Sequence, residues 1–308
     1  MCKILILVLI ISIVIIATAS AMMLHLLSDR NAKVDAIFSN VTHSGQDIEI
    51  RDRKWEDRQW LMDREYTIHS IKSFDGIELK AKYVKASGDS DRCAICVHGF
   101  HSNGYKEFSS IGRFYLENGI NVLFVDQRGN GESGGRMITY GDREQRDILQ
   151  WVDYAIANLT DNAYFSLHGI SMGSATVMLI SDRVPSDKIK YIAADCGYTY
   201  EKDQLLYTIK TIGLPARILY FCYMMACQVT RLYNPNNIAP VEHAKNTKVP
   251  MIFAHGRDDQ IVPVAMAEEL YERCGFSKKK LVIADGANHT QAFYMTEEYG
   301  KALIEFMG

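Results

Sequence analysis

Residues 167–176, LHGISMGSAT, place one serine, Ser171, between Gly169 and Gly173. The preceding run AYFSLHG is typical of a buried strand, and the following SMGSATVMLISDR has helical character. Ser171 is therefore predicted at a sharp strand-to-helix turn, where a side chain at either glycine would crowd the backbone. The start of the helix would also direct backbone N–H groups toward a developing oxyanion. Because the G-x-S-x-G pattern is short, its interpretation depends on the surrounding elements.

Those elements alternate along the chain. From Glu65, EYTIHSIKSFDGIELKAKYVKA contains two alternating segments joined by Asp75-Gly76, a strong hairpin signal. Further strands are predicted at CAICVHG, NVLFVDQ, AYFSLHG, YIAADCG, PMIFAHG and KLVIADG, with helical stretches between them. This order predicts an α/β fold with a mostly parallel sheet flanked by helices.

One interval, from Cys196 to Pro250, shows no convincing strand. It contains two apolar helical segments, at about 203–212 and 215–232. We interpret them as a helical cap inserted at about 198–245 over the edge of the sheet. Ordinary packing helices are the alternative.

The loop HGFHSNG follows the first predicted parallel strand and can direct a backbone N–H toward Ser171. The backbone N–H groups of Phe100 and Met172 are therefore the predicted oxyanion donors. His98 could be mistaken for a general base, but we interpret it as a residue that orders this loop.

Two later loops carry a candidate acid and a candidate base. HGRDDQIVP contains Asp258 and Asp259, which spacing alone does not separate, and Asp195 in AADCG is a third candidate acid. DGANHTQA places His289 after the last strand. An acid can hold an imidazole in one tautomer, and the imidazole can then remove a proton from a serine hydroxyl. The order serine, acid, histidine agrees with G-x-S-x-G hydrolases.

With these motifs together, the chain from about residue 65 to the end resembles the α/β-hydrolase superfamily. The resemblance is carried by HGF, DQRGNGES, GISMGS, HGRDDQIVP and GANH. DCGYTY and the overall layout are similar to bacterial membrane-tethered hydrolases of the serine aminopeptidase and esterase-like group. The resemblance implies that Asp259, the fifth residue of H-G-x-x-D-x-x-V-P, is the acid. In DQRGNGES, Asp126 and Arg128 would support the site, and Ser133 would be structural because it has no adjacent base.

The hypothesis is a serine hydrolase that cleaves carboxylic esters or related acyl bonds through Ser171, His289 and Asp259, with an acyl-enzyme intermediate. It needs no metal and no organic cofactor. The expected partner is a small acyl ester or amide, including lipid-like substrates. A serine aminopeptidase-like peptidase and a catalytically idle binding protein with this fold are the alternatives.

The N-terminus is apolar. Residues 4–27, ILILVLIISIVIIATASAMMLHLL, contain no formally charged side chain, and as a helix they would span about 36 Å, enough for a hydrocarbon core of about 30 Å. We predict a transmembrane anchor at residues 1–28, a polar stalk or helical extension at 29–64, and the hydrolase domain at 65–308. A cleavable signal peptide is the alternative, because small residues are present at positions 17, 19 and 21. We expect a single-pass membrane protein with its hydrolase domain outside the cytoplasm, although flanking positive charges do not decide the side.

Composition excludes one class of partner. The formal net charge is −3 and no long basic run occurs, so nucleic acid is not expected to bind. Cys93 and Cys96 form a C-x-x-C pair without a second pair at zinc-ligand spacing. Since the pair lies in a predicted strand, we interpret both as small buried residues. Unpaired cysteines are more typical of a reducing compartment, which conflicts with an exported domain.

Overall fold

The computed structural model describes residues 2–33, 46–159 and 163–308. The strands are β1 (Thr67–Lys72), β2 (Glu78–Val84), β3 (Arg92–Val97), β4 (Asn121–Asp126), β5 (Tyr164–Ile170), β6 (Ile189–Asp195), β7 (Met251–Gly256) and β8 (Lys279–Ala284). The helices are α1 (Cys2–Ser28), α2 (Gln46–Met62), α3 (Gly104–Glu107), α4 (Ser109–Glu117), α5 (Glu144–Asn158), α6 (Met172–Leu179), α7 (Glu201–Thr211), α8 (Ala216–Val229), α9 (Pro240–Ala244), α10 (Val264–Arg273), α11 (Ala292–Met295) and α12 (Glu297–Met307).

The eight strands form one sheet in the order β1-β2-β4-β3-β5-β6-β7-β8. The β1–β2 pair is an antiparallel hairpin around Asp75-Gly76, and β2 is also antiparallel to β4. All remaining pairs are parallel. The mostly parallel sheet predicted from the sequence is confirmed. Its parallel strands end at one edge, where ligands bind in sheets of this kind.

Apolar side chains cover both faces of the sheet. Successive residues of β3 alternate between the two layers, so Cys93 contributes to one and Cys96 to the other. Helix α5 packs on the first face, and α4 and α12 pack on the second. Both cysteines are fully buried and unpaired, and burial raises the pKa of each thiol. They act as small core residues, as predicted.

Helices α7 and α8 form the insertion between β6 and β7 and pack against each other. Their inward side chains join an apolar cluster, hereafter the cap cluster, that reaches the sheet edge. The cluster includes Leu205 and Tyr220 from the insertion, Met172 directly after Ser171, and Phe100 from the loop after β3. The inserted helices therefore lie over the loops that carry the candidate site.

The N-terminal apolar helix contacts this insertion. Met23 is buried in the cap cluster, and α1 packs against α8. Ser28 Oγ lies 2.9 Å from the Tyr223 hydroxyl, and Asp29 pairs with Arg136 on the loop before α5. Ile4–Ser28 is long and apolar enough to cross a membrane, a test that a signal sequence would also meet.

The extension after α1 is only partly described, because residues 34–45 lie outside the described residues. Helix α2 packs against α4, and Leu61 is fully buried there. The Arg30 N–H donates to the Arg136 carbonyl at 2.9 Å. The boundaries predicted at residues 28 and 64 stay a prediction.

Candidate active site

Ser171 occupies the turn between β5 and α6 in an uncommon backbone conformation. Its φ of 55° and ψ of −117° are rarely adopted by a residue with a side chain, and such a conformation costs about 1–3 kcal/mol unless its surroundings hold it in place. The Ser171 N–H donates to the Asp195 carbonyl at 2.8 Å, and the Ser171 carbonyl accepts from Ala175 at 3.1 Å. Backbone bonds from both sides therefore hold the serine at the sheet edge.

The flanking glycines are required by close backbone contacts. A side-chain carbon on Gly169 would lie 2.3 Å from the Gly173 carbonyl oxygen, and one on Gly173 would lie 1.9 Å from the Val97 carbonyl oxygen. Backbone atoms cannot move aside as a flexible side chain can. The sequence interpretation of both glycines as turn residues thus has a direct steric reason.

We predict that Gly173→Ala destabilises the protein by about 3 kcal/mol or more, at the upper end of overpacking costs. The new methyl group would force β3 and α6 apart at the centre of the sheet. Thermal unfolding of the full chain in detergent measures the effect. A variant that melts within 2 °C of the unaltered chain (a threshold of about 0.5 kcal/mol) would contradict this account of the turn.

Three predicted side chains meet at this turn. His289 Nε2 lies 3.0 Å from Ser171 Oγ, and His289 Nδ1 lies 2.7 Å from Asp259 Oδ2. With the proton on Nδ1, the imidazole donates to Asp259 and accepts from the serine hydroxyl. The hydroxyl, imidazole and carboxylate then form one continuous hydrogen-bonded chain.

Asp259 is fixed by the backbone as well. Its Oδ1 accepts from the N–H groups of Ile261 at 2.8 Å and Val262 at 2.9 Å, and its Oδ2 lies 3.1 Å from His255 Nε2. Burial alone would raise its pKa, but His289 and His255 outweigh burial, so the pKa is well below the usual range. Asp259 is therefore ionised. The other candidate in this loop, Asp258, is exposed.

The same contacts act on His289. Burial alone would lower the pKa of this imidazole, but the charge and hydrogen bond of Asp259 raise it above the ordinary value of 6.5. Glu107 and Asp195 add smaller effects in the same direction. The carboxylate of Asp259 therefore makes this imidazole a stronger base.

Two buried residues lie close to His289: Asp195, which the sequence places at the end of a strand, and Cys196, which was not foreseen there. Asp195, a candidate acid from the sequence, is buried at the end of β6, and burial raises its pKa to about 7. The next residue, Cys196, has a φ of 44° and places its Sγ 3.9 Å from His289 Nε2. Burial raises the pKa of the Cys196 thiol, so the sulfur stays protonated. A thiol in this state packs against the imidazole without competing for its proton.

The loop after β3 lies directly on the serine. A carbon added to Gly99 would lie 3.1 Å from Ser171 Cβ. The Gly99 N–H donates to the Glu107 carboxylate, while His98 Nε2 accepts from the Gln127 N–H at 3.0 Å. His98 is thus held within the loop, as the sequence interpretation has it. Glu107 was not foreseen, because nothing in its local sequence marks it.

The two predicted oxyanion donors are the N–H groups of Phe100, which follows Gly99, and Met172, which follows Ser171. Met172 begins α6, so its N–H belongs to the first turn of the helix, where backbone donors have no partner within the helix. The Phe100 ring stacks on Tyr140 with centroids 5.2 Å apart, which fixes its position in the loop. Because the Gly99 donor is taken by Glu107, Phe100 is the next donor along the chain.

The loop at 126–133 supports the site from outside. Arg128 pairs with Asp147 at 2.6 Å and with Asp75 at 2.9 Å, and Asp126 Oδ1 accepts from the Gly104 N–H at 3.0 Å. Ser133 Oγ donates to the Asp126 carbonyl at 2.6 Å and accepts from the Lys80 N–H at 2.8 Å. These bonds give Ser133 a structural position.

Among the described residues, one trio has potential metal-ligand atoms close together, within 4.8 Å of one another: Cys196, Asp259 and His289. Sulfur, carboxylate and imidazole are donors that zinc accepts. Both ring nitrogens of His289 already face Asp259 and Ser171, so a metal there would compete with those hydrogen bonds. The sequence prediction of a site without metal stays a prediction.

Comparison with protein families gives one match that covers over half of the chain. The family described as "Serine aminopeptidase, S33" matches residues 88–214 and 238–293. These ranges include the serine turn, Asp259 and His289. The chain belongs to the serine aminopeptidase S33 family.

Curated relatives from distant organisms are similar over most of the chain. The uncharacterized protein YqkD of Bacillus subtilis is 28% identical over 245 residues, which cover 79% of each chain. The protein bem46 of Schizosaccharomyces pombe is 24% identical over 250 residues, covering 79% of this S33 family member and 77% of bem46.

Solved structures are similar over the same region. The Pyrococcus furiosus esterase Pf2001 is 25% identical, with a TM-score of 0.64, covering 81% of this chain and 94% of the esterase. The Pyrococcus horikoshii acylaminoacyl peptidase shares the fold at 19% identity and a TM-score of 0.57, covering 79% of this chain and 41% of the peptidase. The α/β-hydrolase fold expected for this S33 family member is confirmed, and the comparisons support a hydrolase.

Proposed function

We propose that this protein is a serine hydrolase of carboxylic esters in which Ser171 is the nucleophile, His289 the general base and Asp259 the acid. The observation that carries the proposal is the continuous chain from the serine hydroxyl through the imidazole to a buried carboxylate, with links of 3.0 and 2.7 Å. Both distances lie within hydrogen-bond reach, as proton transfer requires.

The proposed reaction has two acyl-transfer steps. His289 Nε2 takes the proton of the Ser171 hydroxyl as its oxygen attacks the substrate carbonyl carbon. The N–H groups of Phe100 and Met172 would bind the oxyanion, while Asp259 stabilises the imidazolium. His289 then protonates the leaving alkoxide, and water attacks the acyl-enzyme with the same base. The products are the alcohol and the carboxylic acid, and the serine hydroxyl is restored.

The surroundings of the site favour an ester over a peptide. A peptidase that selects a free amino terminus needs a carboxylate to bind the ammonium group. From residue 204 to residue 241, which spans most of the cap, the sequence has no Asp or Glu. Of the other acidic residues in the cap, Glu201 is fully buried and accepts from the Tyr233 hydroxyl, Glu242 pairs with Arg273, and Asp203 is exposed at the start of α7. The side chains above the serine belong instead to the apolar cap cluster, which suits an acyl chain.

We also propose that α1 anchors the protein in a membrane by a single span, with the hydrolase domain outside the cytoplasm. The length and apolar composition of Ile4–Ser28 support the span. Extraction of membranes at alkaline pH, followed by the intact mass of the retained protein, tests it. A mature chain without the apolar segment would show that the segment is a signal sequence instead.

A fluorophosphonate probe tests the nucleophile. We expect stoichiometric labelling of the full chain, with the adduct on Ser171 in peptide mass spectra. Parallel assays with a p-nitrophenyl acyl ester and an aminoacyl p-nitroanilide then separate the two hydrolase classes. Turnover of the anilide above that of the ester would favour the peptidase. No labelling and no turnover of either would favour an idle binding protein.

We predict an acidic limb in the pH profile of kcat/KM with a midpoint above 6.5. The base must be neutral to accept the serine proton, and Asp259 raises the pKa of His289 above that value. Activity is therefore lost as pH falls through the raised pKa. Steady-state rates from pH 5 to pH 9 measure the midpoint. A midpoint below 6.5 would show that Asp259 does not control this imidazole.

A further inference from the structure

Helix α1 is divided between a free part and a packed part. The described side chains from Ile4 to Thr18 are exposed around the whole helix, whereas burial begins at Ala19 and Met23 is 5% exposed. The segment from residue 4 to residue 22 would be about 28 Å long at 1.5 Å per residue, close to a hydrocarbon core of about 30 Å. If α1 spans a bilayer, the hydrocarbon boundary therefore falls where α1 meets α8.

Helix α8, which contacts the packed part of α1, presents an apolar stripe, hereafter the cap stripe. Its members recur at helical spacing and continue into the turn before α8: Leu214, Ile218, Phe221, Met225 and Val229. Ile218 is 66% exposed, Phe221 49% and Val229 78%. The opposite face of α8 is buried through Tyr220, Tyr223 and Cys227 in the cap cluster. Exposed apolar surface of this kind marks an interaction site.

The charges within the stretch of chain that carries the cap stripe have one sign, and the exposed Asp203 lies just before this stretch, at the start of α7. From residue 204 to residue 241 the sequence carries Lys210, Arg217 and Arg231 and no acidic residue. All three cations are exposed. An apolar stripe beside cations is the pattern of a helix lying in a membrane interface, where cations attract anionic headgroups.

The family match leaves out residues 215–237, which contain all of α8. Four of the five members of the cap stripe, all but Leu214, therefore lie outside the residues that match the family. A second copy of the chain that paired through the same stripe would also cover apolar residues, but it would bring Lys210, Arg217 and Arg231 against the same cations. Charge thus favours lipid over self-association.

We propose that the cap stripe lies in the headgroup–acyl boundary of the same bilayer that holds α1, next to anionic phospholipids. This inference rests on the proposed span of α1 and not on the proposed reaction. The inner face of α8 joins the cluster that contains Met172. The cap therefore lies between the bilayer and the serine, and an acyl substrate would reach the site from the lipid phase.

Photo-cross-linking tests the position of the stripe. The full chain is reconstituted in vesicles of phosphatidylcholine with 30% phosphatidylglycerol, with p-benzoylphenylalanine in place of Phe221. Matched variants carry the label at Ile11, within α1, and at Tyr164, an exposed aromatic residue at the start of β5 on the opposite edge of the sheet. We expect lipid adducts at positions 11 and 221, at least five times more abundant than at position 164.

Two outcomes would overturn the inference. Lipid adducts at position 11 without adducts at position 221 would place the stripe outside the membrane. Protein–protein adducts at position 221 in place of lipid adducts would show that a second copy covers it. The adducts are detected by mass spectrometry and do not depend on catalytic activity. The same result is therefore expected in a Ser171→Ala background. Loss of activity and loss of lipid contact are thus separate results.

Discussion

Ser171→Ala is expected to lower kcat/KM for a p-nitrophenyl ester on the order of 10⁶-fold, as loss of the serine nucleophile does in subtilisin. In the proposed mechanism the Ser171 hydroxyl forms the acyl-enzyme, and no other side chain in the described site replaces it. Cys196 is near, but its thiol is buried and protonated. Stopped-flow and steady-state assays measure the loss, and the fluorophosphonate adduct should disappear with it.

Ser174→Ala is the matched control. Ser174 is fully buried in α6, one turn after the nucleophile, and its hydroxyl has no hydrogen-bond partner in the described structure. Removing it deletes a serine from the same helix without touching the hydrogen-bonded chain. We expect activity within about threefold of the unaltered protein (about 0.7 kcal/mol). Ester turnover that survives in Ser171→Ala would end the assignment of the nucleophile.

Asp259→Asn is expected to lower kcat/KM about 10⁴-fold, as the equivalent change does in serine proteases. An asparagine amide can donate to His289 Nδ1, which would favour the tautomer with its proton on Nε2. That tautomer cannot accept the serine proton. The remaining activity should also show an acidic limb at lower pH, because the charge that raises the pKa of His289 is gone.

Two further variants separate the acids that the sequence left open. Asp258→Asn changes an exposed carboxylate beside Asp259, and we expect activity within about twofold of the unaltered protein (about 0.4 kcal/mol). Asp195→Asn removes a buried carboxyl whose pKa is raised to about 7, and we expect a smaller loss than for Asp259→Asn. A larger loss for Asp195→Asn would show that Asp195, at the end of β6, is the acid that acts on His289, and that Asp259 is not.

The parts of the site that could be predicted are those carried by short local patterns. Gly169 and Gly173 identified the serine turn because their backbone contacts tolerate no side chain. His289 could be placed because it follows the last strand, and all parallel strands end at one edge. Spacing alone did not separate Asp258 from Asp259, since a one-residue difference in a loop depends on how the loop folds.

Long-range contacts could not be predicted. The Glu107 carboxylate on the Gly99 N–H and the Cys196 sulfur beside His289 arise from tertiary packing and leave no periodic signal. The packing of α1 on α8 is of the same kind, because an apolar helix shows its preference for apolar surroundings but not its partner. The two cap helices were predicted at about 203–212 and 215–232 and lie at 201–211 and 216–229, but their contact with the N-terminal helix could not be predicted.

The contact between Asp29 and Arg136 has a consequence for geometry at a membrane. The hydrogen bond from Arg136 lowers the pKa of Asp29 to about 2, so the carboxylate keeps its charge until the solution is strongly acidic. Asp29 follows α1 directly, so no flexible linker separates that helix from the residue that pairs with Arg136. If α1 spans a membrane as proposed, this contact would hold Ser171 at one height and one tilt above the lipid at any physiological pH. The substrates of the proposed hydrolase would then be limited to molecules that lie in, or diffuse along, a thin layer at the membrane surface.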